Sequence, residues 1–200
     1  MHAYYINLDA RPDRRARMEA HFLRVGITAS RIRAVEPVEL SDDQRDQCRR
    51  SWKTPYPIIE VELCCNLSHK KAISEFLSSE AKYAAIFEDD AELADDLGEI
   101  LASIDRDGMS CDILRLETWL DRAYFVPMPK HRIGRYSFHE MAHHNWGAAG
   151  YVLSRKGAKA LLDQLSRIEA IVDLTLWRLL PNSTGTRVLQ VQPAPVVQID

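Results

Sequence analysis

The chain has no apolar run of bilayer length, so no helical membrane span is expected. Its opening, MHAYYINLDARPDRR, lacks a basic stretch followed by a long apolar one, so no secretory leader is expected either. Cysteine is scarce. The thiols at Cys48, Cys64, Cys65 and Cys111 include no C-x-x-C pair, and two of them are adjacent. That pattern is neither a zinc framework of spaced cysteines nor a convincing disulfide scaffold, and it fits reduced thiols in a cytosol. Neither G-x-G-x-x-G nor G-x-x-x-x-G-K-[ST] occurs, so the dinucleotide fingerprint and the Walker loop are both absent. No internal repeat, low-complexity tract or linker divides the chain.

What is present is size and an uneven charge. Two hundred residues suit one domain with its own core. The net charge of −3 selects no partner class, and no nucleic-acid partner is expected. Arg11 to Arg33 holds seven arginines against Asp13 and Glu19, while Glu80 to Asp107 holds ten acids against Lys82 and Arg106. One segment could hold phosphate and the other a cation, or both could be solvated helix faces.

Residues 3–8, AYYINL, predict a strand. DARPDRRARMEAHFLRVG predicts a helix with Pro12 and Asp13 in its first turn and Gly26 at its stop. A strand near 29–34 and a polar helix over 41–51 follow, then a proline-marked break at 54–58. Residues 60–79 predict a helix with Cys65, His69, Ile73 and Phe76 on one face. Strands are expected over 82–87, 111–117 and 148–154, and helices over 95–104 and 169–180. A further helix should start at Ser154 as N-cap. Residues 118–146 suit a hairpin and a loop, and the tail one or two strands. The alternation predicts an α/β fold with a mostly parallel central sheet flanked by helices.

In such sheets ligands gather beyond the carboxyl ends of the strands. Two segments stand there. In NLDARPDRR, a helix N-terminus and Arg11, Arg14 and Arg15 suit phosphate or carboxylate. Asp9 can accept from a ribose hydroxyl or a uracil N–H, or cap the helix. The second is AAIFEDDAEL, in which a buried strand runs into three carboxylates that repel unless a cation lies among them. Residues i and i+2 of an extended segment share a side, so Glu88 and Asp90 can converge on a hard divalent ion while Asp89 turns away. The alternative is a helix start decorated with acids. His69 is either a satisfied core histidine or a group orienting the site. Asp173, in AIVDLTLW, is either a helix cap or a base for an attacking hydroxyl. His139, His143, His144 and Asn145 suit a surface loop or a further metal ligand.

The ordered series INLDARPDRRARM, EVELCCNLSHKKA, AAIFEDDAEL, WGAAGYVLSRKGAKALL and IVDLTLW resembles glycosyltransferase family 25, from about Tyr5 to Trp177. The resemblance implies a GT-A type nucleotide-sugar transferase fold in one domain spanning 1–200. It also implies a divalent metal, manganese or magnesium, and a UDP-sugar donor, often UDP-galactose. Inverting transfer to a glycan or glycolipid acceptor follows, in the cytoplasm or at the inner-membrane surface. Asn7, Leu8, Arg14 and Arg15 match the opening nucleotide-binding motif, joined by Asp9. Cys65, Leu67, Ser68 and His69 match Gly-Cys-x-Leu-Ser-His, with Cys64 in the glycine position. Glu88, Asp89 and Asp90 match the acidic motif, Glu88 and Asp90 as metal ligands, and Asp173 matches a later aspartate taken as the base. A binding domain without catalysis is the alternative, motivated by Cys64 and by a chain that closes soon after its last motif. A phosphohydrolase is disfavoured because D-x-D-x-[TV] is absent.

Overall fold

The computed structural model describes residues 1–49, 58–120, 122–143 and 146–199. The expected break at 54–57 and the pair His144 and Asn145 lie outside the described residues.

Tyr4, Tyr5 and Ile6 are consecutive, and all three are buried. A strand covered on both faces belongs inside a sheet with helices on either side. That strand is β1 (His2–Asn7), and α1 (Pro12–Arg24) returns the chain over it, with Pro12 in the first turn and Arg24 in the last. β2 (Ala29–Arg33) pairs parallel to β1. The polar α2 (Asp42–Arg49) precedes α3 (Glu60–Ser78). β3 (Tyr83–Glu88), buried from Ala84 to Phe87, lies parallel to β1 on its other side.

The short β4 (Ala91–Leu93) follows the acidic turn directly, then α4 (Leu97–Asp107) and β5 (Ile113–Arg115). The strand expected over 111–117 divides at Leu116. Glu117–Thr118 form β6, which joins a separate sheet. The expected hairpin is present as β7 (His131–Ile133) and β8 (Tyr136–His139). β9 (Gly150–Ser154) leads into α5 (Arg155–Leu165), whose Gly157 amide donates to the Ser154 hydroxyl at 3.1 Å, the expected cap.

The helix expected over 169–180 is present over 172–184, widened in its middle by a π-helical turn. It consists of α6 (Val172–Leu174), a π-helical turn at Thr175–Leu179 and α7 (Leu180–Thr184). Pro181 offers no amide to an α-helical ladder, and the Leu180 amide reaches back five residues to the Thr175 carbonyl. β10 (Val188–Gln192) and β11 (Val196–Gln198) complete the chain.

The large sheet has the order β2-β1-β3-β9-β5-β10-β8-β7. Six of its eight strands run one way, while β9 and β8 are reversed. The sheet is therefore mixed: four of the seven pairings are antiparallel, more than the expectation of a mostly parallel sheet allows. The cause is the long excursion after β5. It adds β6 to the small sheet and the β7–β8 hairpin to the far edge of the large one before β9 runs back between β3 and β5. Met18, Phe22, Phe87, Leu97 and Ile104 pack on one face of the sheet, and Tyr4, Ile73, Phe76, Ile86 and Leu161 on the other. The result is an α/β fold of GT-A type.

β11 pairs with β4 and β6 in the small sheet, and so lies beside the acidic turn. No helix among the described residues is long and apolar enough to cross a membrane.

Candidate active site

Asn7 closes β1 and is buried. Its side-chain amide donates to Asp89 Oδ2 at 2.7 Å and to the Arg11 carbonyl at 3.0 Å, and its Oδ1 accepts from Arg31 Nε at 2.9 Å. Arg14 Nη1 meets the other Asp89 oxygen at 3.1 Å, and Arg17 donates to the Asp89 carbonyl at 2.9 Å. Asp89 is thus held towards the arginine-rich helix α1. The repulsion expected of three adjacent acids is relieved on this side by guanidinium groups.

Glu88 points the other way. Cys65 and His69 stand one turn apart on α3 and share a face. His69 Nε2 meets Glu88 Oε1 at 2.9 Å, and the Cys65 thiol donates to the same oxygen at 3.6 Å. An ionised carboxylate only accepts, so the proton lies on Nε2, and Nδ1 accepts the Tyr151 hydroxyl at 2.7 Å. Tyr151 and His69 are fully buried and stack with centroids 5.7 Å apart. Donor atoms of Cys65, His69 and Glu88 all lie within 4.8 Å of one another. Burial, then the charge of Glu88, drives the Cys65 thiol well above its ordinary range.

Asp90 is buried at the start of β4. Gln198 Nε2 of β11 donates to its Oδ2 at 3.0 Å, and the Ile199 amide donates to its carbonyl at 3.1 Å. Its Oδ1 is buried and has no hydrogen-bond partner among the described residues. Burial and the neighbouring Glu88 push its carboxyl up to about 6. A buried carboxylate lacking a donor is costly unless something cationic completes it. The pair Glu88 and Asp90, rich in hard oxygen, therefore fits a divalent cation of the magnesium or manganese kind.

Opposite lies Asp173, at the start of α6. The Gly147 amide donates to its Oδ2 at 3.2 Å and its neighbour Leu174 to Oδ1 at 3.0 Å. The segment 146–149 is held at several of its backbone polar atoms. Arg115 donates to the Trp146 carbonyl, Trp177 Nε1 to the Gly147 carbonyl at 2.5 Å, and the Ala149 amide to Glu117 Oε2 at 2.8 Å. Gly147 has φ +102°, and a Cβ there would lie 2.5 Å from Trp119 Nε1 and 3.0 Å from both Glu117 oxygens. Behind it, the buried side chains of Arg115 and Glu117 meet at 3.4 Å. Burial pushes Glu117 up to about 8 despite that guanidinium, and Arg115 lies over the Trp177 ring at 5.1 Å.

A cavity of about 230 Å³ lies between Glu88 and Asp173; Asp90, Asp89 and Asn7 do not line it. Glu88, Cys65, Asp173, Gly147, Trp119 and Gln198 line it. Larger hollows beside Lys70 and Glu75, and beside His143 and Arg178, gather no such group of acids.

Other expected site residues lie elsewhere. Ser68 accepts from the Val35 amide and donates to the Cys64 carbonyl, so it ties α3 to the strand-end loop and does not line the cavity. Arg15 pairs with Glu19 along α1 at 2.8 Å, away from Asp89. Asp9 is half exposed and bonds Arg31 at 2.5 Å; Leu8 is exposed beside it. His139 bonds Val126 and Ser137, and His143 stacks edge-on with Tyr124, so neither joins the acids. Cys64 packs with Val35, Leu40, Cys48 and Leu63, outside the cavity. Sequence reasoning missed Glu117, Gln198 and Trp119. Nothing local marks the first two, because their partners are 32 and 108 residues distant.

Residues 1–176 match the family described as Glycosyltransferase family 25 (LPS biosynthesis protein). The chain is 28% identical over 209 residues to the lacto-N-neotetraose biosynthesis glycosyltransferase LgtE of Neisseria meningitidis serogroup B, covering 99% of this chain and 74% of that protein. It is 30% identical over 153 residues to the lipooligosaccharide biosynthesis protein lic2B of Haemophilus influenzae, covering 70% of this chain and 55% of that one. Among solved structures it is similar in fold to a glycosyltransferase involved in glycosylating the major capsid of PBCV-1. That match has a TM-score of 0.50 and 12% identity, over 100% of this chain and 94% of the other.

Proposed function

The chain belongs to glycosyltransferase family 25, and we propose that it transfers galactose from UDP-galactose to a hydroxyl of a lipooligosaccharide-type glycan, with inversion. The donor follows from the family resemblance. The acceptor class follows from relatives named for lacto-N-neotetraose and lipooligosaccharide biosynthesis. The observation that carries the reading is the buried, unpartnered Asp90 Oδ1 beside Glu88, at the strand end whose cavity Asp173 lines from the other side.

In this reading the nucleotide would cross the end of β1 beside the α1 N-terminus, meeting Asn7 and the exposed Leu8 and Asp9 outside the cavity that Asp173 lines. Asp89 fixes Arg14 on that side of the site, where positive charge meets a diphosphate. A divalent cation, manganese or magnesium, bound by Glu88 and Asp90 supplies counter-charge for the leaving UDP. His69, locked between Tyr151 and Glu88, orients that carboxylate. Asp173, which lines the cavity with Glu88, would take the acceptor hydroxyl's proton in a single inverting displacement. Trp119 is half exposed at the cavity and offers a flat apolar surface to an acceptor sugar.

A glycolipid acceptor places the work at the cytoplasmic face of the inner membrane. Trp119, Leu120, Tyr124 and Met128 are exposed, with Arg122 and Lys130 among them. That mixture suits shallow contact with an anionic lipid surface. The rival, a binding domain without catalysis, loses one support because Cys64 is buried outside the cavity.

The test is nucleotide release from a panel of UDP-, GDP- and CMP-sugars, with and without Mn²⁺ and a lactose-type acceptor. UDP release from UDP-galactose that requires both metal and acceptor is the expected outcome. Binding without release, or equal turnover without any divalent ion, would overturn the reading.

A further inference from the structure

Cys65, His69 and Glu88 converge in a way that the transfer reaction does not require. Their donor atoms fall within 4.8 Å of one another, and two hydrogen bonds meet on the single oxygen Glu88 Oε1. A tetrahedral zinc site places its sulfur, nitrogen and oxygen ligands about 2.0–2.3 Å from the ion, and hence about 3.2–3.6 Å apart. The separations here are 3.6 Å from Sγ to Oε1 and 2.9 Å from Nε2 to Oε1, so small side-chain shifts would admit an ion.

We propose that Cys65, His69 and Glu88 form a site for a thiophilic divalent ion of the zinc class, with its fourth position open to the cavity that Asp173 lines.

Three features support this beyond the grouping itself. The first is the donor set: a thiol and an imidazole favour zinc over magnesium or manganese, unlike the all-oxygen pair Glu88 and Asp90. The second lies behind the histidine. Tyr151 holds Nδ1 at 2.7 Å from a fully buried position. Its hydroxyl donates to Nδ1 now and would accept from Nδ1–H once Nε2 ligates the ion, so it serves both tautomers. The third is access. Cys65 and Glu88 line the cavity, so an ion can enter, and water or a substrate oxygen can take the fourth position.

The proton balance is simple. The thiol proton leaves to solvent, and the imidazole moves its proton from Nε2 to Nδ1, so one proton is released per ion bound. Because the ion would engage Glu88, zinc should inhibit a reaction that uses Glu88 with a hard ion.

The test uses Co²⁺ as a spectroscopic probe on the full chain, which reports on ligands without any assay of activity. Wild type should develop a thiolate-to-cobalt charge-transfer band that saturates at one equivalent and is removed by Zn²⁺. Cys65→Ser should lose the band, and His69→Gln should weaken cobalt binding at least tenfold. Asp90→Asn should keep the band, which separates this site from the oxygen pair. Circular dichroism identifies any variant that fails to fold; should His69→Gln be one, Cys65→Ser alone decides. No band in folded wild type, or an undiminished band in Cys65→Ser, overturns the proposal. Failure of transferase activity would leave this result untouched, and a normal transferase with no cobalt band would sink only this proposal.

Discussion

Asn7 and Asp89 are 82 residues apart in sequence and 2.7 Å apart at Nδ2 and Oδ2. The contact fastens the end of β1 to the acidic turn after β3, and Arg14 and Arg31 join it from α1 and β2. Asn7→Ala leaves a buried carboxylate short of a donor, which typically costs about 1–3 kcal/mol. Urea denaturation should register that loss, together with weaker UDP binding. Unchanged stability would mean that the contact does not hold the turn.

Asp173→Asn keeps an acceptor for the Gly147 amide but removes the proposed base. Turnover should fall by about 10²–10⁴-fold, the usual range for losing a general base, with UDP affinity little changed. Steady-state kinetics with calorimetry of UDP binding separates the two. Lost UDP binding would move Asp173 to the donor side of the cavity.

Gly147→Ala forces a Cβ onto a backbone at φ +102° and to within 3.0 Å of the Glu117 carboxylate. A non-glycine residue held in so sparsely populated a region costs about 1–3 kcal/mol. The melting temperature should drop, and kcat should fall because Asp173 is fastened to this amide. A variant as stable and active as wild type would contradict the clamped 146–149 segment.

Glu117 supplies a pH dependence with a definite sign. Burial raises its folded value to about 8, above the ordinary value of 4.5. Between those values the folded chain keeps a proton that the unfolded chain has released, so stability falls as pH rises from about 4.5 to about 8. Below that window the group contributes no slope, and above it the loss is complete. Glu117→Gln should flatten this part of the stability–pH curve, measured by denaturation at several pH values. An identical slope in the variant would show that Glu117 does not titrate there.

The elements legible in the sequence are those with local causes. β1 and β3 are short apolar runs, α1 carries Pro12 in its first turn, and Ser154 caps α5 through its own neighbour Gly157. What was not legible depends on distant partners. The reversal of β9 follows from the path of the excursion after β5, not from the composition of GYVLS. The π-helical turn in the 172–184 helix could not be read from Pro181 alone, because proline also begins helices and α7 continues past it. Glu88 and Asp90 could be singled out from spacing, but Gln198 reaches Asp90 only because β11 folds back beside β4. Ser68 and Arg15 lie in the right segments yet face away, since helix register decides direction and motif order does not.

The central claim is that Glu88 and Asp90 join a divalent ion to the diphosphate of the donor. Its most direct test is calorimetry of UDP binding to wild type and to Asp90→Asn, each with and without Mn²⁺. Asparagine keeps a partner for Gln198 and removes an unpartnered buried charge, so the variant should fold at least as well as wild type. Wild type should bind UDP at least about tenfold more tightly with Mn²⁺, a gain of about 1.4 kcal/mol, and the variant should lose that gain while keeping its metal-free affinity. A folded Asp90→Asn that retains the full Mn²⁺-dependent gain would contradict the account.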